Sequence, residues 1–287
     1  VDSVRTRGRA LRDKVYYRAV PEPRSYRRGD PPQMIRVLLE SVYERSLMAQ
    51  IRHIPHHVAI IQDGNRRFAT SRGLIRKEGH RAGADRTEKV LEWSHDLGIQ
   101  HITLYSFSTE NLSRDGEEVK DLFDLFKDRF NRVVTDERVH RDRIRVRMVG
   151  DRALLPDDLI SVITRAEEAT REYDSYYLNV ALAYGGRNEI VRAAREILEK
   201  VTCGHHTPEQ IDAALVERHL CADHNLPPVD LVIRTGNECR TSNFLPWLAN
   251  VHEFAVYFCA PFWPLFRKID LLRAIRVYSQ RRDALAA

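Results

Sequence analysis

Cysteine is scarce and scattered in this sequence: Cys203, Cys221, Cys239 and Cys259 stand far apart, with no CxxC pair. That spacing argues against a structural zinc site and gives no disulfide framework, so a reducing cytoplasm is the expected compartment. Long apolar runs are missing as well. No stretch approaches the ~18 residues that span a bilayer, and the first residues alternate charge with short apolar patches instead of forming the core of a secretory signal. A lipidic substrate would therefore be met from the aqueous side. There is no GxxxxGK[ST] phosphate loop, which disfavours a Walker-type nucleotide enzyme. There is no DDxxD box either, since Asp157-Asp158 runs on into Leu-Ile-Ser.

Excess charge is confined to the start of the chain. Residues 1–54 carry 12 Lys/Arg against 6 Asp/Glu, and the remaining 233 carry 34 against 35. A near-neutral body is not a nucleic-acid surface. The basic arm can face solvent, anionic lipid headgroups or RNA, in that order of expectation.

Residues 1–34 are rich in Arg and broken by Pro21, Pro23, Pro31 and Pro32, which reads as an arm. Ile35, Leu38, Leu39, Val42, Leu47 and Ile51 then recur at helical spacing. Beyond Pro55 the pattern becomes strand-helix alternation. Strands are predicted at VAIIQ (58–62), HITLYSFS (101–108), RVRMVG (145–150), YLNVALAY (177–184), DLVIRT (230–235) and FAVYF (254–258). Helices are predicted near 79–97, 117–139, 156–172, 187–200, 207–220 and 268–282. Continuous apolar strands separated by amphipathic helices imply βαβ units. The expected fold is α/β: one catalytic domain, residues 55–287, with a mostly parallel sheet of about six strands flanked by helices, preceded by a basic arm and helix, residues 1–54. In such sheets ligands sit beyond the carboxyl ends of the strands.

Polar residues concentrate at those ends. The first strand runs into Gln62-Asp63-Gly64-Asn65-Arg66-Arg67. Gly64 lets the backbone approach a ligand closely, and Asp63 offers a hard oxygen for Mg²⁺. For a lone DGN, a plain Asx turn with solvated arginines is the first reading, since turn chemistry alone explains it. Arg76 and the segment Gly79-His80-Arg81-Ala82-Gly83-Ala84 follow, read as a helix opening suited to phosphate. The second strand ends in Ser106-Phe107-Ser108-Thr109-Glu110-Asn111-Leu112-Ser113-Arg114, which suits a phosphate or a helix cap. The fifth runs into Arg234-Thr235-Gly236-Asn237-Glu238-Cys239-Arg240-Thr241-Ser242-Asn243, a dense anion-binding constellation. Glu253, at the start of the sixth strand, is a second candidate metal carboxylate or a solvated glutamate.

Taken in order, HVAIIQDGNRRFA, YSFSTENLSR, LNVALAYGGRNEIV and DLVIRTGNECRTSNFLPW with the following glutamate resemble the motifs of the cis-prenyltransferase family. That family includes undecaprenyl and dehydrodolichyl diphosphate synthases, and the likeness runs from about His56 to Arg282. The absence of DDxxD separates the chain from the all-helical trans-prenyl synthases. The resemblance implies condensation of isopentenyl diphosphate with an allylic diphosphate, with Mg²⁺ as cofactor and a homodimer as the assembly. It implies catalytic roles for Asp63 and Asn111, and metal ligation by Asp63 and Glu253. Gly64, Asn65, Arg67, Arg76 and His80 would hold the allylic diphosphate, and Arg66 and Phe68 would also bind substrate. Arg234, Arg240 and Ser242 would hold isopentenyl diphosphate, and Phe107, Ser108, Asn111 and Arg114 would line the condensation region. A tunnel between the sheet and the helices near 79–97 and 117–139 would house the growing chain. Leu112, Gln62 and Arg66 depart from common bacterial residues, and DGNRR with FCAPFWP is closer to archaeal or eukaryotic members, which favours a dolichol-type product. The alternative is a non-catalytic family member serving as a partner subunit or membrane-surface scaffold.

Overall fold

The computed structural model describes residues 33–220, 226–249 and 255–286. The strands in this part are β1 (His57–Ile61), β2 (His101–Tyr105), β3 (Ile144–Val149), β4 (Tyr176–Ala181), β5 (Leu231–Arg234) and β6 (Ala255–Phe258). They form a single all-parallel sheet in the order β3-β4-β2-β1-β5-β6. The helices are α1 (Gln33–Met48), α2 (Asn65–Ser71), α3 (Arg76–Asp96), α4 (Gly116–Val133), α5 (Glu137–Arg141), α6 (Asp157–Ala169), α7 (Gly186–Thr202), α8 (Ala213–His219) and α9 (Lys268–Ala286). The expected α/β class and the six strands are found.

β1, β2 and β5 are buried at every position, because helices and loops cover both faces of the sheet centre. The two-residue strand period sorts their side chains. Val58, Ile60, Ile102, Leu104, Leu231 and Ile233 face a core shared with Val90 of α3, Trp263, and Leu271 and Ile275 of α9. Ala59, Ile61, Tyr105 and Val232 face the opposite way, onto Phe244, Leu245 and Leu248. A third cluster joins Leu122 and Phe130 of α4 to Leu159 and Ile163 of α6 and to Val146 and Met148 of β3. α1 seats Leu47 and Tyr43 against Ile269 and Leu272 of α9.

Helix boundaries differ from expectation, and the helix expected at 207–220 is a 3-10 turn at Pro208–Gln210 followed by α8 at Ala213–His219. The short helix α2 occupies the turn after Asp63. α3 begins at Arg76, three residues before Gly79, where the Glu78 carboxylate accepts from the Ile75 amide at 3.0 Å. The expected helix 117–139 is two helices: α4 stops at Val133, and the Asp136 carboxylate caps α5 by accepting from the Arg138 amide at 2.9 Å.

Buried imidazoles tie the amino ends of the strands together. His57 is fully buried, its Nδ1 2.8 Å from the Pro227 carbonyl and its Nε2 2.7 Å from Thr103 Oγ1. A carbonyl only accepts, so Nδ1 carries the proton; burial disfavours a second one, which leaves Nε2 to accept from the hydroxyl on a neutral ring. Burial pushes His57 down to about 4 from an ordinary 6.5. Burial likewise pushes His101 down to about 3, where the ring stacks on Tyr177 at 4.3 Å. Below pH 6.5 the unfolded chain binds protons that these folded imidazoles refuse, so stability falls as pH falls. Unfolding free energy, measured by urea titration, is expected to be level above pH 7.5. Between pH 6.5 and 4 it should decline by about 1.4 kcal/mol per pH unit for each depressed histidine. A level profile across that range contradicts the buried neutral pair.

Candidate active site

The parallel register brings the ends of three strands together: Ile61 pairs with Tyr105 on one side and with Arg234 on the other. The loops that leave β1, β5 and β6 meet at Asp63, and Ser106 after β2 donates to the neighbouring Gln62 at 2.9 Å. The Asp63 main-chain carbonyl accepts from Thr235 Oγ1 at 2.7 Å and from the Trp263 amide at 2.9 Å. Its carboxylate accepts from Arg67 Nη2 at 3.0 Å through Oδ1 and from Arg234 Nη2 at 2.8 Å through Oδ2.

Arg234 is the central cation. Its side chain is only 4% exposed, and a buried guanidinium is costly unless paired and hydrogen-bonded. Besides Asp63, it donates through Nη1 to Ser242 Oγ and, at 2.6 Å, to the Arg240 carbonyl. It therefore holds the 240–242 turn against the end of β1. Arg240 itself points to solvent and pairs with Glu238 at 2.6 Å, and Glu238 reaches back toward Arg67 at 3.6 Å. Two glycines permit this crowding. A Cβ on Gly64, at φ 111°, would lie 2.9 Å from Phe262 Cα, and one on Gly236, at φ 82°, would lie 2.6 Å from Arg67 Nη2.

A second cluster is built around Glu118, whose side chain is 4% exposed. Arg76 donates to its Oε2 at 3.1 Å, Arg114 donates to its Oε1 at 3.1 Å, and Arg66 Nε lies 3.6 Å from Oε1. His80 Nε2 stands 3.3 Å from the same oxygen. Burial opposes ionisation of Glu118, but Arg114, Arg66 and the His80 hydrogen bond outweigh it and hold the carboxyl below its ordinary value. Burial also pushes His80 down, against the pull of Glu118, so it is neutral at pH 7. With a neutral His80, three guanidiniums face one carboxylate.

Between the sheet and helices α3 and α4 lies a cavity of about 380 Å³. Leu91, Ile102, Leu104, Phe126, Phe130 and Val180 make its wall predominantly apolar. Gln62, Asn65 and His80, which border the two cationic clusters, stand at one end.

The comparisons with known proteins agree with this arrangement. A family model described as putative undecaprenyl diphosphate synthase matches residues 61–285. The chain is 48% identical over 249 residues to the tritrans,polycis-undecaprenyl-diphosphate synthase (geranylgeranyl-diphosphate specific) of Archaeoglobus fulgidus, covering 86% of this chain and 98% of that one. It is 50% identical over 243 residues to the synonymous enzyme of Halobacterium salinarum, covering 84% and 80%. The chain belongs to the undecaprenyl diphosphate synthase family. Among solved structures, lavandulyl diphosphate synthase from Lavandula x intermedia, in complex with dimethylallyl diphosphate, superposes with a TM-score of 0.74 at 36% identity, over 79% of this chain and 95% of that one. As a member of the family, the chain is a prenyltransferase.

The residues singled out in the sequence fall into distinct places on this family scaffold. Asp63, Arg67, Arg234 and Ser242 converge directly, and Arg240 joins them through its carbonyl while its side chain pairs with Glu238; Arg66, Arg76, His80 and Arg114 converge through Glu118. Asn65 packs its carboxamide onto Gly83, where any Cβ would meet Oδ1 at 2.3 Å. Phe68 is half-buried under Arg72, whose guanidinium lies 6.0 Å from the ring centre. Asn111 accepts from the Ser108 amide at 3.1 Å and so braces its own loop. Phe107 turns into the core against Phe123, at 5.4 Å between ring centres, away from the charged clusters. The amides of 79–84 lie inside α3, so there the His80 side chain, not a helix N-terminus, faces the site. Glu253 lies outside the described residues. Glu118 and Glu238 were not singled out in the sequence; the four-residue spacing of Arg114 and Glu118 was the available signal.

Among the described residues, no group of three His, Cys, Asp or Glu side chains could hold a metal alone. Mg²⁺ does not require one. It retains water and binds through one or two carboxylates plus substrate phosphates. Asp63, with a side chain 28% exposed at the lip of the sheet, fits that donor set.

Gly236→Ala should force Arg67 off Asp63 and strain the turn, lowering stability by about 1–3 kcal/mol. Urea unfolding and the affinity for inorganic pyrophosphate check this, and a wild-type result in both contradicts the close packing described.

Proposed function

We propose that this prenyltransferase condenses isopentenyl diphosphate with an allylic prenyl diphosphate and elongates it to a long-chain Z-polyprenyl diphosphate. The observation that carries this reading is the pair of cationic clusters, around Asp63–Arg234 and around Glu118, at one end of an apolar cavity. Two diphosphate-bearing substrates and a growing hydrocarbon require that combination.

Arg67, Arg76 and His80, with the backbone at Gly64 and Asn65, hold the allylic diphosphate. Arg234, Arg240 and Ser242 hold isopentenyl diphosphate. Asp63 and Glu253 are the residues that would hold Mg²⁺, which neutralises the charge developing on a departing diphosphate. As the allylic C–O bond breaks, the arginines stabilise the leaving oxygens without reorganising, since their partners already fix them. The double bond of isopentenyl diphosphate attacks the exposed carbon, and one proton leaves. The apolar cavity wall keeps water from the carbocation-like centre. Ser108, Asn111 and Arg114 shape the loop beside it.

The geranylgeranyl-diphosphate specificity named for the archaeal relatives makes geranylgeranyl diphosphate the first primer to test. The DGNRR and FCAPFWP stretches support a dolichol-type carrier lipid as the use of the product. A homodimer is part of this proposal, as are a cytoplasmic location and peripheral contact between the basic arm and a membrane surface. The near-neutral body argues against nucleic acid.

The full chain incubated with Mg²⁺, labelled isopentenyl diphosphate and geranylgeranyl diphosphate should yield extended polyprenyl products, with mass analysis giving their length. Asp63→Ala should lower turnover by about 100-fold or more. Absence of extension with primers of every length supports the non-catalytic partner subunit instead.

A further inference from the structure

Glu118 has no role in the scheme above, yet it is the most heavily partnered carboxylate near the cavity. Its partners come from different pieces of the fold: Arg66 from α2, Arg76 and the neutral His80 from α3, and Arg114 from the loop that follows β2. The carboxylate is 4% exposed, whereas the side chains of Arg66 and Arg76 are 47% and 55% exposed. The anion thus lies beneath and the guanidinium groups turn outward. One carboxylate cannot neutralise three guanidiniums, so the cluster keeps a surplus positive charge that a diphosphate would satisfy. Without an anion beneath them, like charges on flexible stems would repel and disperse into water, and assembling them would then draw on the binding energy of the substrate.

We propose that Glu118 is a positioning residue that pre-assembles Arg66, Arg76 and Arg114 as a cradle for the allylic diphosphate. The proposal rests on the prenyltransferase reading of the site and adds a residue to it. Glu118 does not touch the substrate; it fixes where the guanidiniums stand before substrate arrives. The isopentenyl diphosphate cluster is anchored separately, by Asp63 on Arg234, so the effect should fall on one substrate only.

The test compares the wild-type full chain with Glu118→Gln and Glu118→Asp in steady-state kinetics with geranylgeranyl diphosphate and isopentenyl diphosphate. Glu118→Gln should raise KM for the allylic substrate about tenfold, equivalent to about 1.4 kcal/mol, and leave KM for isopentenyl diphosphate within about twofold. Glu118→Asp keeps the charge on a shorter stem, so it should give a smaller but still selective rise, of about threefold. Adding Arg76→Gln to Glu118→Gln should cost less than Arg76→Gln alone costs in the wild type, since the cradle is already dispersed. An unchanged allylic KM overturns the proposal, as does an equal rise in both KM values, which marks a general lesion. If Glu118→Gln does not fold, Glu118→Asp against the wild type decides, with a selective allylic rise supporting the proposal and none overturning it. If the wild type turns over no substrate, the catalytic reading fails on its own. Calorimetric titration of inorganic pyrophosphate then separates the two questions: about tenfold weaker binding by Glu118→Gln supports the cradle, and equal binding overturns it.

Discussion

One ion pair organises this site: the Asp63 carboxylate accepting from Arg234 at 2.8 Å. It closes because β1 and β5 are parallel neighbours with Ile61 opposite Arg234, so the chain delivers both groups to the same edge of the sheet. A guanidinium so deeply buried must be partnered, and its partners are drawn from β1 and from the 240–242 turn. Arg234 thereby ties the loop after β1 to the turn after β5. A surface pair of the same length would contribute little; here the desolvated arginine makes the geometry binding on its neighbours.

Much of this was legible in the sequence, for physical reasons that can be named. β1, β2 and β5 read as continuous apolar runs because both faces are covered, and their punctuation by DGN, SFSTEN and RTGN marked where the chain leaves the sheet. Once those strands are parallel and adjacent, the polar ends must meet. Periodicity was a poorer guide to what happens within a few residues. α2 has seven residues, too few to display a helical stripe, so DGNRR read as a turn. The break between α4 and α5 depends on one capping aspartate, Asp136, within a run that stays amphipathic. Phe107 sits among site residues in sequence but alternates to the core side of its strand end, which a list of motif positions does not reveal.

Glu118 was hidden for a different reason. Its partners run from Arg66, 52 residues away in the chain, to Arg114, and acidic residues in the first turn of a helix are common for electrostatic reasons alone. Only the packing of α2 and α3 beside α4 identifies which first-turn carboxylate is buried. The division of labour that results is simple. Asp63 organises one cationic cluster and Glu118 the other, and the apolar cavity begins beside both.

The central claim is that Asp63 and Arg234 act as a unit joining two loops. A double-mutant cycle on the full chain, with Asp63→Asn, Arg234→Gln and the pair combined, measures that directly through urea unfolding. The account predicts a coupling energy of about 0.5–3 kcal/mol, with the double variant less damaged than the two single losses summed. Additive losses would mean that the two residues stand independently, and would contradict it.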